Sequence, residues 1–367
     1  MNARERLIKT LKFQSVDRIP LVEWPIREAT MREWLKQGYP NGWSPQAYFS
    51  TDTMWIGAPF DIRINPKFEE KIIEQNDKYK IWIDDLGALR KDFIDNKNPG
   101  FVTRSWLKFP VENRKDFLDI KKRYNHASPE RFADDFIKRS LVLNNSPSSV
   151  MISIPFLFWT ARDWMGFENL CMAFYDDPLL LHEMFEFITD FSIEVLRRAY
   201  KHIKIDLIEL EEDMAYKGAP MVSPVIFKEF MFPHYRRLID FAKLNGTEII
   251  MVDCDGYPGG LIPHWIDAGA DAMSPCEVAA GVDILKTSEE YPGFALLGGI
   301  DKRELVKTKI HIYKEVISKV PAMIEKGGYV PHVDHAVPFD VSLENYTYFR
   351  KIMNEIAYGS IPDAPKE

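Results

Sequence analysis

From residue 146 onward, apolar and polar positions repeat in a simple rhythm. An apolar run over 149–154 is followed by Met184, Phe187, Ile188, Phe191, Val195 and Leu196, which share one face at helical spacing. The same alternation returns at 205–210 before a helix over 224–244, and at 248–252 before a helix over 259–268. It returns again at 272–274 before a turn near Gly281 and a short helix, at 294–297 before a helix over 309–326, and at 328–331 before a last helix over 343–357. Short apolar strands separated by helix-length intervals predict parallel βαβ units. The first 145 residues lack this rhythm. Strand-like pieces at 18–23, 71–75 and 79–83 stand among turn formers such as Tyr39-Pro-Asn-Gly42, and residues 67–87 alternate around Asn76-Asp77 in the manner of a hairpin.

Composition narrows the class. Hydrophobic residues make up 46% and charged residues 28% of 367 positions, enough apolar material for a large core. The net charge of -8 is spread along the chain, which argues against a nucleic-acid partner because such a surface needs a basic face. Three cysteines, Cys171, Cys254 and Cys276, have no CxxC spacing, so neither a disulfide framework nor a thiolate cluster is signalled and a reducing compartment is expected. The start MNARERLIKTLKF is charged from its fourth residue, and no apolar run approaches the roughly 18 residues of a membrane span. The expectation is a cytoplasmic protein without membrane insertion.

In parallel βαβ units the loops after the strands carry the chemistry, because the carboxyl ends open onto one face. Here each late strand delivers polar groups as it ends: Glu211-Glu212-Asp213, Asp253-Cys254-Asp255-Gly256, Cys276-Glu277, Gly298-Gly299-Ile300-Asp301 and His332-Val333-Asp334-His335. A single acid at a strand end is commonly a solvated turn or a helix N-cap. Five successive loops are harder to dismiss, since carboxylates converging on one cavity repel unless a metal, a cation or a shared proton neutralises them. His332 is as readily a structural histidine as a functional one, Cys254 suits a small packed residue, and His335 ranks above both. Most aromatics fill cores, but several tryptophans, Trp24 and Trp159 among them, fall in pre-strand or loop-like contexts and are candidates to wall a pocket. No GxGxxG, P-loop or GxSxG follows any strand, which argues against a nucleotide site and a serine nucleophile.

Four segments carry a family resemblance over nearly the whole chain: RERLIKTLKFQSVDRIPL at the start, MVSPVIFKEFMFPHYRRLI after a middle strand, LLGGIDKREL, and GGYVPHVDHAVPFDVSLENY near the end. In order and spacing they resemble the uroporphyrinogen decarboxylase superfamily. The resemblance implies an α/β fold, a (β/α)8 TIM-type barrel with an irregular N-terminal extension, as one domain over 1–367. Residues 1–145 would hold the first strands and a hairpin, and 146–357 the regular βα units. It implies one of two activities, decarboxylation of uroporphyrinogen or methyl transfer to or from a corrinoid on a separate protein. Decarboxylases of the family carry an arginine-rich RQAGRY-like motif after the first strand, whereas this place reads EWPIREATMREW and keeps only Arg27 and Arg32. In the coenzyme M methylating branch, zinc is held by an HxCG motif and a later cysteine; the matching positions here are Asp253, Asp255 and Asp334.

The closer resemblance is to the O-demethylase methyltransferases of anaerobes, which move a methyl group from a methoxylated aromatic to a cobalamin-type corrinoid. This implies Asp253, Asp255, Asp334, His335 and Glu212 as catalytic groups, and Asp213, Trp24, Arg27, Trp159, Arg162, Asp301 and His332 around the substrate. Asp253, Asp255, His332 and Asp334 would bind zinc or share a proton at the leaving oxygen. The implied partners are a corrinoid-binding protein and a small methyl donor; a homodimer is compatible. Two alternatives stay open: a metal-free decarboxylase or lyase in which Arg27, Arg104 or Arg162 holds a carboxylate, and a non-catalytic binding subunit.

Overall fold

The computed structural model describes residues 1–22, 24, 26–94 and 102–365. The chain enters its main sheet with β1 (Trp55–Gly57) and leaves it for an antiparallel sheet of β2 (Lys71–Gln75), β3 (Tyr79–Ile83), β4 (Leu89–Phe93) and β5 (Arg104–Lys108). It returns with β6 (Ser149–Pro155) and β7 (Leu207–Glu211), and makes a small hairpin of β8 (Ala215–Tyr216) and β9 (Ala219–Pro220). β10 (Ile249–Asp253), β11 (Ala272–Cys276), β12 (Ala295–Gly298) and β13 (Tyr329–Val330) complete the main sheet. Its order is β1-β6-β7-β10-β11-β12-β13, and every neighbouring pair is parallel.

Strand alternation sorts the apolar residues into two layers. Met151, Leu207, Ile249, Met251, Ala272, Ala295, Leu297 and Val330 form an inner cluster, closed below by Leu7, Ile8 and Leu11 of the helix Ala3–Leu11. Val150, Ile152, Ile208, Leu210, Ile250, Val252 and Leu296 face outward into the main core beneath the helices. This is the curled sheet of a TIM-type barrel, filled by side chains in its lower half. The plugging helix is fixed by an Asn2/Glu5 capping box and by Arg6, which engages Asp17 and Asp52.

The rhythm seen from residue 146 is realised closely; the helices Lys309–Lys326 and Leu343–Ala357 fall where the periodicity puts them. The span after β6 holds three helices, Leu157–Met165, Phe167–Asp176 and Pro178–Ala199, where the pattern marked one. The helix expected over 224–244 is interrupted by a π segment, Phe227–Met231. Pro233 follows it and has no N–H to return to the carbonyl four residues earlier.

The TIM-type fold with an N-terminal extension holds, with two differences in detail. Seven strands, not eight, form the main sheet among the described residues. Residues 19–22 run past its open side without a ladder: the Leu21 carbonyl accepts from the Asp52 N–H, the Val22 carbonyl accepts from Arg350, and Val22 joins the inner cluster. Glu23, the last residue of the strand expected there, lies outside the described residues. The N-terminal part is also more regular than expected, with helices Glu28–Lys36, Pro45–Phe49, Arg114–Ile120 and Phe136–Asn144 besides the four-stranded sheet. β4 and β5 escape pattern reading because LRKDF and RSWLK are half-exposed or exposed throughout. No helix of the described residues is long and apolar enough to cross a membrane.

Candidate functional site

Above the apolar layers the inward positions turn polar. On β7 the alternation that sends Leu207 inward and Ile208 and Leu210 outward also sends Glu209 and Glu211 inward. Ser153 is in register with Glu209, Asp253 with both Glu211 and Ser274, so a belt of acids and hydroxyls spans β6, β7, β10 and β11. Glu211 accepts two hydrogen bonds from Arg63, at 2.7 and 2.9 Å, and one from the Ser153 hydroxyl at 2.5 Å. Asp253 makes no ion pair among the described residues. Burial, reinforced by the Glu211 charge, pushes the Glu209 carboxyl up to about 7 against the opposing pull of Ser153 and Arg63. Burial, then the charges of Glu209, Asp213, Asp255 and Glu211, pushes Asp253 well above the carboxylate range. This half of the mouth stores protons on desolvated carboxyls.

Beside it lies a cavity of about 330 Å³ bounded by Arg27, Asp255, Glu277, Lys302, His335 and Phe339. His335 Nε2 stands 3.3 Å from Asp255 Oδ2. Burial works to raise the Asp255 carboxyl, but the hydrogen bond and charge of His335, with Lys302 and Arg27, outweigh it and hold the group below its usual value. Asp213 links the two areas: its Oδ1 accepts the Asp255 N–H at 3.0 Å, and its carbonyl accepts from Arg162 at 3.0 Å. It does so from a left-handed backbone, φ 43°, which is strained for a residue with a Cβ.

The other expected site residues are placed elsewhere. Glu212, expected to be catalytic, is fully buried; it accepts the Phe158 and Trp159 N–H groups at the start of helix Leu157–Met165 and the Tyr235 hydroxyl at 2.6 Å. Asp334 accepts the Val278 N–H on one oxygen and the Lys302 N–H on the other, and has no exposed surface. Asp301 is an N-cap that also holds the Arg303 guanidinium. The His332 ring stacks on Trp24 at 4.8 Å with Nδ1 against the Val333 carbonyl, and burial lowers its pKa to about 4, so it is neutral at pH 7. Trp159 sits under the Arg162 guanidinium and faces a different cavity, against the antiparallel sheet.

Asp253, Asp255, His332 and Asp334 are not gathered, and among the described residues no three His, Cys, Asp or Glu side chains are arranged to hold a metal ion. Both Asp334 oxygens already accept backbone hydrogen bonds, so the donor set does not fit zinc. Conversely, Glu209, Ser153, Arg63 and Lys302 were not singled out by sequence reasoning. Glu209 did leave a signal, a charge at an inward position of the otherwise apolar stretch LIELE; Arg63 lies in a loop and left none.

A parallel barrel whose catalytic face carries desolvated acids and a carboxylate–imidazole pair defines an enzyme of the TIM-barrel class. The sequence model of the uroporphyrinogen decarboxylase (URO-D) family matches residues 158–356, more than half of the chain, and the chain belongs to this family. It is 23% identical to a uroporphyrinogen decarboxylase of Hydrogenobaculum sp. (strain Y04AAS1) over 193 residues, 53% of each chain. It is 25% identical to the chloroplastic uroporphyrinogen decarboxylase of Nicotiana tabacum over 141 residues, 38% of this chain and 35% of that one. The matched stretch spans at most about half the length of these curated relatives. Among solved structures, a methyltransferase from Methanosarcina mazei superposes over 97% of this chain and 99% of its own, with a TM-score of 0.61 and 14% identity, a likeness of fold.

Proposed function

We propose that this protein transfers a methyl group from a small methoxylated, aromatic substrate to the cobalt of a corrinoid carried by a separate protein. The observation that carries this reading is the placement of Glu209 and Asp253 on adjacent strands, facing one another's charge, with burial pushing Glu209 up to about 7 and Asp253 upward. An aryl methyl ether resists cleavage because phenolate leaves badly, and a proton delivered to the ether oxygen as the carbon–oxygen bond breaks stabilises that departure. Asp253 is the donor, Glu209 shares and restores its proton, and the Asp255–His335 pair on the cavity side orients the substrate. A corrinoid on the partner protein would supply the reduced cobalt nucleophile that accepts the methyl group as a cation equivalent; the electron pair of the broken bond stays on the oxygen, where the Asp253 proton neutralises it. No step is assigned to zinc.

The same belt disfavours the decarboxylase reading. A polycarboxylate tetrapyrrole needs cationic partners for each buried carboxylate, and the belt of Glu209, Glu211 and Asp253 sets acids beside the few cations of the mouth, Arg27, Lys302 and Arg63. The test is to mix the protein with reduced corrinoid protein and a panel of methoxylated aromatics and to follow methyl–cobalt formation by absorbance. Inactivity with every ether, together with carbon dioxide release from a carboxylated substrate, would transfer the assignment to the decarboxylase.

A further inference from the structure

A second cavity lies between the antiparallel sheet and the barrel, and the proposed reaction makes no use of it. It holds about 280 Å³, just below the roughly 300–1,000 Å³ of ordinary ligand pockets, which suits one substituted ring and not a tetrapyrrole. Arg90 on β4, Arg104 and Trp106 on β5, Arg63 from the loop after β1, and Trp159 and Asp163 from the helix after β6 line it. Trp106 comes from the antiparallel sheet and Trp159 from the helix after β6.

Its polar side is dominated by guanidinium groups that are only partly engaged. Arg63 reaches Glu211 through a single terminal nitrogen, Arg90 reaches Asp84 through Nη1 at 3.0 Å, and Arg104 takes Asp92 through Nε and Nη2. The Nε of Arg90 is buried with no hydrogen-bond partner among the described residues, its nearest acid being the Asp92 carboxylate at ion-pair distance, 3.9 Å. A buried cationic donor without an acceptor costs free energy, and a carboxylate is the acceptor whose geometry matches a guanidinium edge. The neighbouring acids are turned to other donors: Asp84 accepts from Arg90 Nη1 and the Leu86 and Ala88 N–H groups, and Asp92 from Trp82 and Arg104.

We infer that this cavity is a binding site for an aromatic monocarboxylate, its ring against Trp106 and Trp159 and its carboxylate on Arg90 and Arg63. Because Arg63 also holds Glu211, occupation of the cavity reaches the acid belt through one side chain. The site stands whether or not methyl transfer does, because its test requires no turnover.

Calorimetric titration of the full chain with benzoate, 4-methoxybenzoate and benzylammonium decides it. Saturable binding of both benzoates and none of benzylammonium is expected, with Arg90→Gln and Trp106→Ala each weakening benzoate by about tenfold or more. Trp106 is half exposed on the edge strand β5, so its loss leaves the fold intact, and Trp43→Ala, at an exposed tryptophan outside the cavity, serves as the control that binds normally. No benzoate binding, equal benzoate affinity in Trp106→Ala and the unmodified chain, or preference for benzylammonium would each overturn the assignment. Benzoate binding with no methyl transfer to any acceptor would count against the proposed reaction and leave this site standing.

Discussion

On the β7–β10 side of the barrel mouth, Glu209 is buried and Asp253 half-buried beside other acids, whereas across the mouth Asp301 and Asp334 are buried but fully engaged. There the oxygens of Asp334 meet the Val278 and Lys302 N–H groups, and those of Asp301 meet Arg303. In sequence the two sides look alike, each an acid following an apolar strand. The difference teaches that burial alone does not mark a reactive acid: burial raises Glu212 and Asp334 as well, but their oxygens are taken up by fixed donors, which leaves them less free to act on a substrate.

The sharpest way to break this contrast is Asp253→Asn. Removing a general acid is expected to lower kcat for methyl transfer by about 10²–10⁴-fold while the melting temperature holds or rises, since a desolvated acid is replaced by a neutral isostere. Activity within a few-fold of the unmodified protein would erase the distinction. The opposite pattern is expected of Asp334→Ala: denaturant unfolding should show a loss on the order of 2–4 kcal/mol, because two buried N–H groups are left unpaired.

The pH dependence of stability sharpens the contrast further. Glu209 has a folded-state pKa of about 7, raised above the 4.5 of the ordinary carboxyl. The folded state therefore binds more protons in that window, so stability should fall as pH rises from about 4.5 to about 7 and then level off. Glu209→Gln should flatten this slope, an effect of up to about 3 kcal/mol read from unfolding curves at several pH values. The smallest effect belongs to Arg63→Ala. Its side chain is about half exposed, so stability should change by roughly 0–1 kcal/mol. Yet its charge opposes the raised Glu209 pKa, so the pH above which activity declines should move upward.

Much of the fold was legible from residue 146, because strands buried on both faces must be apolar and helices must repeat at 3.6. The antiparallel β4 and β5 were not, since their charges pair with neighbours across the sheet, as Arg104 does with Asp92, rather than marking one wet face. In the site, Asp213, Asp253, Asp255 and His335 were legible as strand-end groups and do come together. Glu212 was misplaced, although it neighbours Asp213. Which of two adjacent acids caps a helix and which turns toward the mouth is set by the left-handed backbone at Asp213 and by Tyr235, whose orientation depends on the helix following the π segment.

By itself the sequence determined the alternation of strands and helices and the gathering of polar groups at strand ends, because periodicity and chain direction are local properties. Only the tertiary structure decided which acids are desolvated among other acids and which are tied to backbone N–H groups. Those outcomes depend on donors and burial contributed by distant segments, and no window of sequence contains both the acid and what surrounds it.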